Sequence, residues 1–178
     1  MRKTTTFALL ATAVVALGCG AGTTDTAGGS GSGDGAAVKG EEKAAKTAKI
    51  GQPARDGKFE FMVKSSKCGV TKVGDSVLGE KAQGQFCLVT INVKNIGKES
   101  QMFDGSSQKA YAADGTEYSA DTGAAIYANK NAETFLNDIN PGNQVTGVVV
   151  FDIPKNVKLT KLELHDSAFS GGVDVALS

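Results

Sequence analysis

The sequence predicts an all-β domain over residues 50–178, an antiparallel β-sandwich of immunoglobulin type with about seven strands. Three observations predict it. First, residues 87–93 (CLVTINV) alternate strictly: Cys87, Val89, Ile91 and Val93 point one way, Leu88, Thr90, Asn92 and then Lys94 the other. A period of two with β-branched residues on one face describes a half-buried strand. Second, Asp114-Gly115 and Asn140-Pro141-Gly142-Asn143 are turns whose chemistry is visible, with Gly free to take positive φ and Pro presetting φ before it. Third, further short alternating runs recur between such turns. A small β-barrel is the alternative architecture. The chain has no Trp, so the immunoglobulin likeness is one of architecture.

The elements follow in order. Arg2-Lys3 is a positive n-region, 7–17 (FALLATAVVAL) a short apolar h-region, and Ala16-Leu17-Gly18-Cys19 the cleavage context of a secretory signal over residues 1–18. The cysteine directly after Gly18 resembles the bacterial lipobox. That resemblance implies acylation of Cys19 as the mature N-terminus and a membrane partner held through the lipid. Ala16 departs from the larger aliphatic residue usual at its place. Residues 19–49 form a Gly/Ser/Thr/Ala-rich tether with no apolar cluster, of root-mean-square reach about 30 Å. Its last part, 41–49 (EEKAAKTAK), is read as a solvated charge run.

In the domain, 58–64 (KFEFMVK) turns Phe59, Phe61 and Val63 inward. Residues 87–94 follow, and Asn95-Ile96-Gly97 ends that strand. Residues 108–113 and 116–119 flank Asp114-Gly115 as a hairpin. Residues 145–153 place Val145, Gly147, Val149, Phe151 and Ile153 inward, and Pro154 stops them. Residues 159–165 and 173–177 complete the set. Only 121–138 (DTGAAIYANKNAETFLND) lacks a period.

The run 59–63, Val89 through Gly97, Asp114-Gly115-Thr116-Glu117-Tyr118, Asn140-Pro141-Gly142, and Gly147 through Pro154 resemble a domain-of-unknown-function family, of the DUF4352 type, carried by lipoproteins of Gram-positive, actinobacterial cells. Its fold is related to that of the mycobacterial immunoprotective extracellular antigen. The resemblance implies an immunoglobulin-like domain outside the cytoplasm. It implies no catalytic residue, because its motifs are turn-and-strand grammar and fold alone does not fix function.

The chemistry that remains is sparse. Cys68 and Cys87, behind an export signal, are expected to form a structural disulfide joining the end of the first strand to the central one, rather than a redox site, since their spacing is far from CxxC. His165 is the single histidine; alternation from Leu162 and Leu164 puts it on the solvent face, and Asp166-Ser167 beside it lack triad geometry. One His and no spare Cys leave no zinc or copper set, and the acids Asp104, Asp114, Glu117, Asp121 and Asp138 lack calcium-loop spacing. No cofactor is expected. Lys and Arg number 19 against 19 Asp and Glu, and loss of residues 1–18 would leave a net charge of −2, which argues against nucleic acid as a partner. The expected function is a membrane-anchored, non-enzymatic module at the cell surface that binds a protein or envelope ligand. An inhibitor or chaperone-like accessory of exported enzymes is the alternative, and a hydrolase stands third. Ile126, Tyr127, Phe135 and Leu136, in the aperiodic segment, are the candidate binding loop. The plainer expectation for large apolar residues is that they plug the open end of the sandwich.

Overall fold

The structure is a computed structural model of the chain, and it describes residues 47–131 and 134–178. The expected signal segment, Cys19 and residues 19–46 of the tether lie outside the described residues.

The described strands are β1 (Ala48–Lys49), β2 (Pro53–Asp56), β3 (Phe59–Gly74), β4 (Gly79–Asn95), β5 (Gln101–Met102), β6 (Lys109–Ala112), β7 (Glu117–Ser119), β8 (Asp138–Ile139), β9 (Gln144–Ile153), β10 (Leu159–Leu164) and β11 (Val173–Ala176). One helix, α1 (Thr122–Ala128), lies between β7 and β8. The strands form a four-stranded sheet in the order β2-β3-β4-β9, a five-stranded sheet in the order β1-β11-β10-β6-β7, and a β5–β8 pair. The two large sheets are not closed into a barrel, so the sandwich expectation holds and the barrel alternative falls. Pairing is antiparallel throughout the described ladders except between β1 and β11, which run parallel. Two residues of the segment read as tether, Ala48 and Lys49, are therefore strand, and Ala48 is buried.

The inner faces interlock as the alternation requires. Phe59, Phe61 and Val63 of β3, Cys87, Val89, Ile91 and Val93 of β4, and Val149, Phe151 and Ile153 of β9 meet Ala110, Leu162, Leu164 and Val175 of the opposite sheet. Phe103 enters this layer from the loop after β5 and packs edge-on against Phe59 and Phe61, with centroids 6.2 and 6.1 Å apart.

β3 does not stop near Lys64 as expected. It continues to Gly74 and pairs with β4 from Phe59 opposite Asn95 to Gly74 opposite Gly79. The register slips between Lys67 and Val70, and the Cys68–Cys87 disulfide closes across that bulge. The bond therefore staples two adjacent strands of one hairpin, and a closed loop of about this length stabilises the fold by about 3 kcal/mol on the chain-entropy argument. Both sequence-read turns are present. Gly115 has φ 85° between β6 and β7, and Gly142 has φ 81° with Asn143 N–H donating to the Asn140 carbonyl at 3.0 Å. Asn95, expected as a turn residue, is fully buried. Its side-chain amide donates to the carbonyls of Glu99 and Ile139, each at 2.7 Å, and so ties the end of β4 to β8.

Candidate functional site

Helix α1 of the aperiodic segment lies on the outer face of the four-stranded sheet. It begins where Asp121 accepts a hydrogen bond from Ala124 N–H at 2.9 Å, the usual service of an Asp N-cap. Ala124, Ala125 and Ala128 let the helix lie close over Phe86, Val73 and Val150, which form a second buried layer. Two contacts seat it on the exposed edge of β9. Asp121 N–H donates to the Val150 carbonyl at 2.8 Å, and the Asn129 amide both donates to the Val148 carbonyl, at 2.9 Å, and accepts from Val148 N–H, at 2.8 Å. A neighbouring strand would exchange the same pair of bonds, so one side chain covers part of an edge otherwise open to pairing with another chain.

Beyond the helix the chain returns, and Phe135 lies over Gly147 of β9. A Cβ at Gly147 would collide with the Phe135 ring, so glycine is what permits this seat. The Phe135 ring then packs on Phe103 with centroids 4.7 Å apart. Between α1 and this aromatic pair is a groove of about 210 Å³. Phe103 and Phe135 contribute to its floor, while Met102, Ile126 and Leu136 stand at its rim with 56, 47 and 59% of their surface exposed.

Two polar side chains of the groove, those of Asp104 and Asn129, are already engaged. Asp104 accepts from Ser106 N–H at 2.8 Å and from the hydroxyls of Ser106 and Ser107 at 2.7 and 2.6 Å. Burial pushes its carboxyl up, but these donors outweigh that and hold it below the usual carboxylate range. It is thus ionised and committed to its own turn. Asn129 is committed to β9. What the groove offers is a recess of apolar surface for one apolar group.

Of the four candidate loop residues, Ile126, Phe135 and Leu136 line this groove, whereas Tyr127 is half-exposed on the helix and does not. The segment thus divides: Phe135 packs partly into the main core, and its neighbours stay in solvent. Met102 and Asp104 were not legible as site residues, because 101–104 carries no period and its role depends on β5 pairing with the distant β8.

His165 departs from expectation. It is 7% exposed, not on the solvent face, because β10 ends at Leu164 and the chain turns there. Its Nε2 lies 2.8 Å from Glu163 and its Nδ1 3.3 Å from the Ser170 hydroxyl, while its ring covers Gly172. The partners are thus Glu163 and Ser170, not the adjacent Asp166 and Ser167. The Ser170 hydroxyl donates to the Ser167 carbonyl at 3.0 Å, which directs its proton away from the imidazole. Nearby, burial and the carboxylates of Glu117 and Glu163 push the Tyr111 phenol well above its ordinary range, so it stays protonated and donates to Glu117 at 2.9 Å. Among the described residues no three His, Cys, Asp or Glu side chains are placed to hold a metal ion.

Residues 48–175 match the model of a domain of unknown function, DUF4352. The chain belongs to this family. Over 117 residues it is 32% identical to the uncharacterized protein YxkC of Bacillus subtilis (strain 168), a match covering 62% of this chain and 64% of that one, just under two thirds of its length. Among solved structures it is similar to the secreted protein MPT63 of Mycobacterium tuberculosis, with 18% identity, TM-score 0.53, and coverage of 73% of this chain and 95% of that one. It is also similar to the yjhA protein of Bacillus subtilis, with 16% identity, TM-score 0.52, and coverage of 74 and 100%. At these identities the two structures support the sandwich fold alone.

Proposed function

We propose that this protein is an extracytoplasmic, lipid-anchored, non-enzymatic interaction module, tethered to the membrane through Cys19 and binding a protein or envelope ligand through the groove beside α1. The observation that carries the reading is the groove itself: three exposed apolar side chains, Met102, Ile126 and Leu136, rim an aromatic floor, and its carboxylate is consumed by its own turn. Exposed apolar residues grouped round a recess mark a contact surface, whereas scattered ones do not. A volume near 210 Å³ suits one large aliphatic or aromatic side chain of a partner. The leader and Cys19 support the location, as does the fold shared with a protein described as secreted.

Two measurements test the reading. Intact-mass spectrometry of protein extracted from membranes is expected to show acylation at Cys19, and an unmodified cysteine there would exclude the anchor. A photocrosslinking residue at Leu136, in intact cells, is expected to give discrete adducts that the same residue at Glu117 on β7 does not. Those adducts are expected to disappear in Ile126→Asp while the melting temperature holds. Identical adducts from both positions would remove the groove as the binding surface.

A further inference from the structure

The β3–β4 hairpin ends in a tight turn, Asp75-Ser76-Val77-Leu78. Asp75 N–H donates to the Leu78 carbonyl at 2.7 Å, and one Asp75 carboxylate oxygen accepts from both Val77 N–H and Leu78 N–H, each at 2.7 Å. The Lys72 ammonium adds a bond to the Asp75 carbonyl. The turn is therefore braced from within. Its two apolar side chains nonetheless stand in solvent, Val77 86% and Leu78 64% exposed. Turns of this kind ordinarily carry Gly, Asn, Asp or Ser, and adjacent Val and Leu gain nothing there from the fold.

The charges below the tip narrow the partner. Lys72 and Lys81 lie directly opposite each other in the β3–β4 register, and both are exposed. Like charges so placed weaken a strand pair. Three carboxylates lie at this end of the sheet: Asp75 braces the turn, Asp152 accepts from Gln83 N–H and Gly84 N–H at 2.6 and 3.1 Å, and Glu80, opposite Val73, turns its carboxylate towards Gly123 of α1, away from the Lys72–Lys81 pair. Phe169, 98% exposed, makes the useful contrast. It belongs to the loop after β10, which Asp166 ties to Asp56 at the opposite end of β3. That loop, residues 165–172, carries no lysine or arginine to meet an anionic surface.

We propose that the β3–β4 tip is a membrane-interface contact, with Val77 and Leu78 entering the boundary between headgroups and acyl chains and Lys72 and Lys81 meeting the phosphates of anionic lipids. Interfacial binding combines buried apolar area with basic residues at headgroup level, which is the pairing found here. An apolar pair alone would suit a protein pocket; the opposed lysines favour a phospholipid surface. Each lysine near such a surface is expected to raise partition about fivefold. The contact rests neither on the groove nor on acylation of Cys19.

The test uses the chain from residue 19 carrying Cys19→Ser, which has no site for the lipid, and sedimentation with vesicles of phosphatidylglycerol or of phosphatidylcholine. Binding is expected to the first and not the second, and to fall as salt is raised to about 0.5 M. The double variant Val77→Ser/Leu78→Ser is expected to lose roughly tenfold in partition through the lost apolar burial. Lys72→Ala and Lys81→Ala are expected to lose about fivefold each. No variant is expected to melt below the parent, and the lysine variants lose the repulsion across the strand pair. No vesicle binding, or equal binding by parent and double variant, overturns the proposal. So does loss of a crosslinked surface protein in the double variant with no change on vesicles, which would assign the tip to a protein partner.

Discussion

The two faces of the four-stranded sheet are built from the same three long strands and are finished differently. The inner face carries Phe59, Phe61, Val89, Ile91 and Phe151 and closes completely against the second sheet. The outer face is covered over part of its length by α1, whose buried contacts are alanines, and a groove remains between that helix and Phe103 and Phe135, which pack with the inner core. Large interdigitating side chains fill a layer to crystal-like density, whereas small ones bring a helix close and leave recesses at its flanks. The face with less to bury is the one with apolar surface left exposed.

The largest expected effect breaks the inner face. Phe61 is fully buried and touches both Phe59 and Phe103. Phe61→Ala is expected to cost about 3–5 kcal/mol, from lost transfer energy and an unfilled cavity. Denaturant midpoints at constant m-value check this. A loss below about 1 kcal/mol would mean that the inner layer collapses around the gap and that the two faces differ less than the packing indicates.

Next in size is a change made on the edge strand β9 and read at the groove beside it. Gly147→Ala adds a Cβ where the Phe135 ring and the Thr134 methyl lie, so the ring that packs on Phe103 must shift. Overpacking of this kind is expected to cost about 1–3 kcal/mol. It is also expected to reshape the groove floor, so that Leu136 crosslinks fall in the same variant. Retained crosslinking at lowered stability would show that the floor does not set the recognition surface.

Legibility in the sequence follows the same division. The inner face could be read because alternation at 59–63, 87–93 and 145–153 reports burial directly, and Asp114-Gly115 and Asn140-Pro141-Gly142 carry their own turn chemistry. The distal half of β3 could not, since Ser65 and Lys67 are exposed, Ser66 is only half-buried, and all three are strand only because β4 pairs with them. Helix α1 was illegible for a related reason: TGAAIYA spans under two turns and has no apolar stripe, and it is held by Asp121, Asn129 and the edge of β9. Ile126, Phe135 and Leu136 of segment 121–138 line the groove, but Met102 and Asp104 on its other wall join it through tertiary pairing alone. His165 was misplaced because alternation was carried one residue past the end of β10.

A smaller effect separates the groove wall from its floor. Asp104 accepts donors from Ser106 and Ser107, and Asp104→Ala is expected to cost about 1 kcal/mol at pH 7, as for lost caps generally. Its folded carboxyl titrates below its unfolded one, so its contribution is present above the unfolded value and is lost as pH falls through the folded one. The stability gap between parent and variant is therefore expected to close below about pH 4. A gap that persisted in acid would show that the side chain acts by packing rather than as an ionised acceptor.

The smallest stability change is expected on the outer surface of α1, and it bears most directly on function. Tyr127 and Ile126 are neighbours on one short helix, 40 and 47% exposed, but only Ile126 borders the groove. Replacing either with Ser should shift stability by no more than about 0.5 kcal/mol, the usual range for surface positions. Their effects on binding are expected to part. Ile126→Ser removes apolar rim from the recess and should weaken partner capture, whereas Tyr127→Ser should leave it near the parent. Equal stability with unequal capture is the pattern that a binding groove produces and a packing plug does not. Equal loss of capture in both would move the contact to the helix surface as a whole; a stability loss of several kcal/mol in Ile126→Ser would make the rim part of the core.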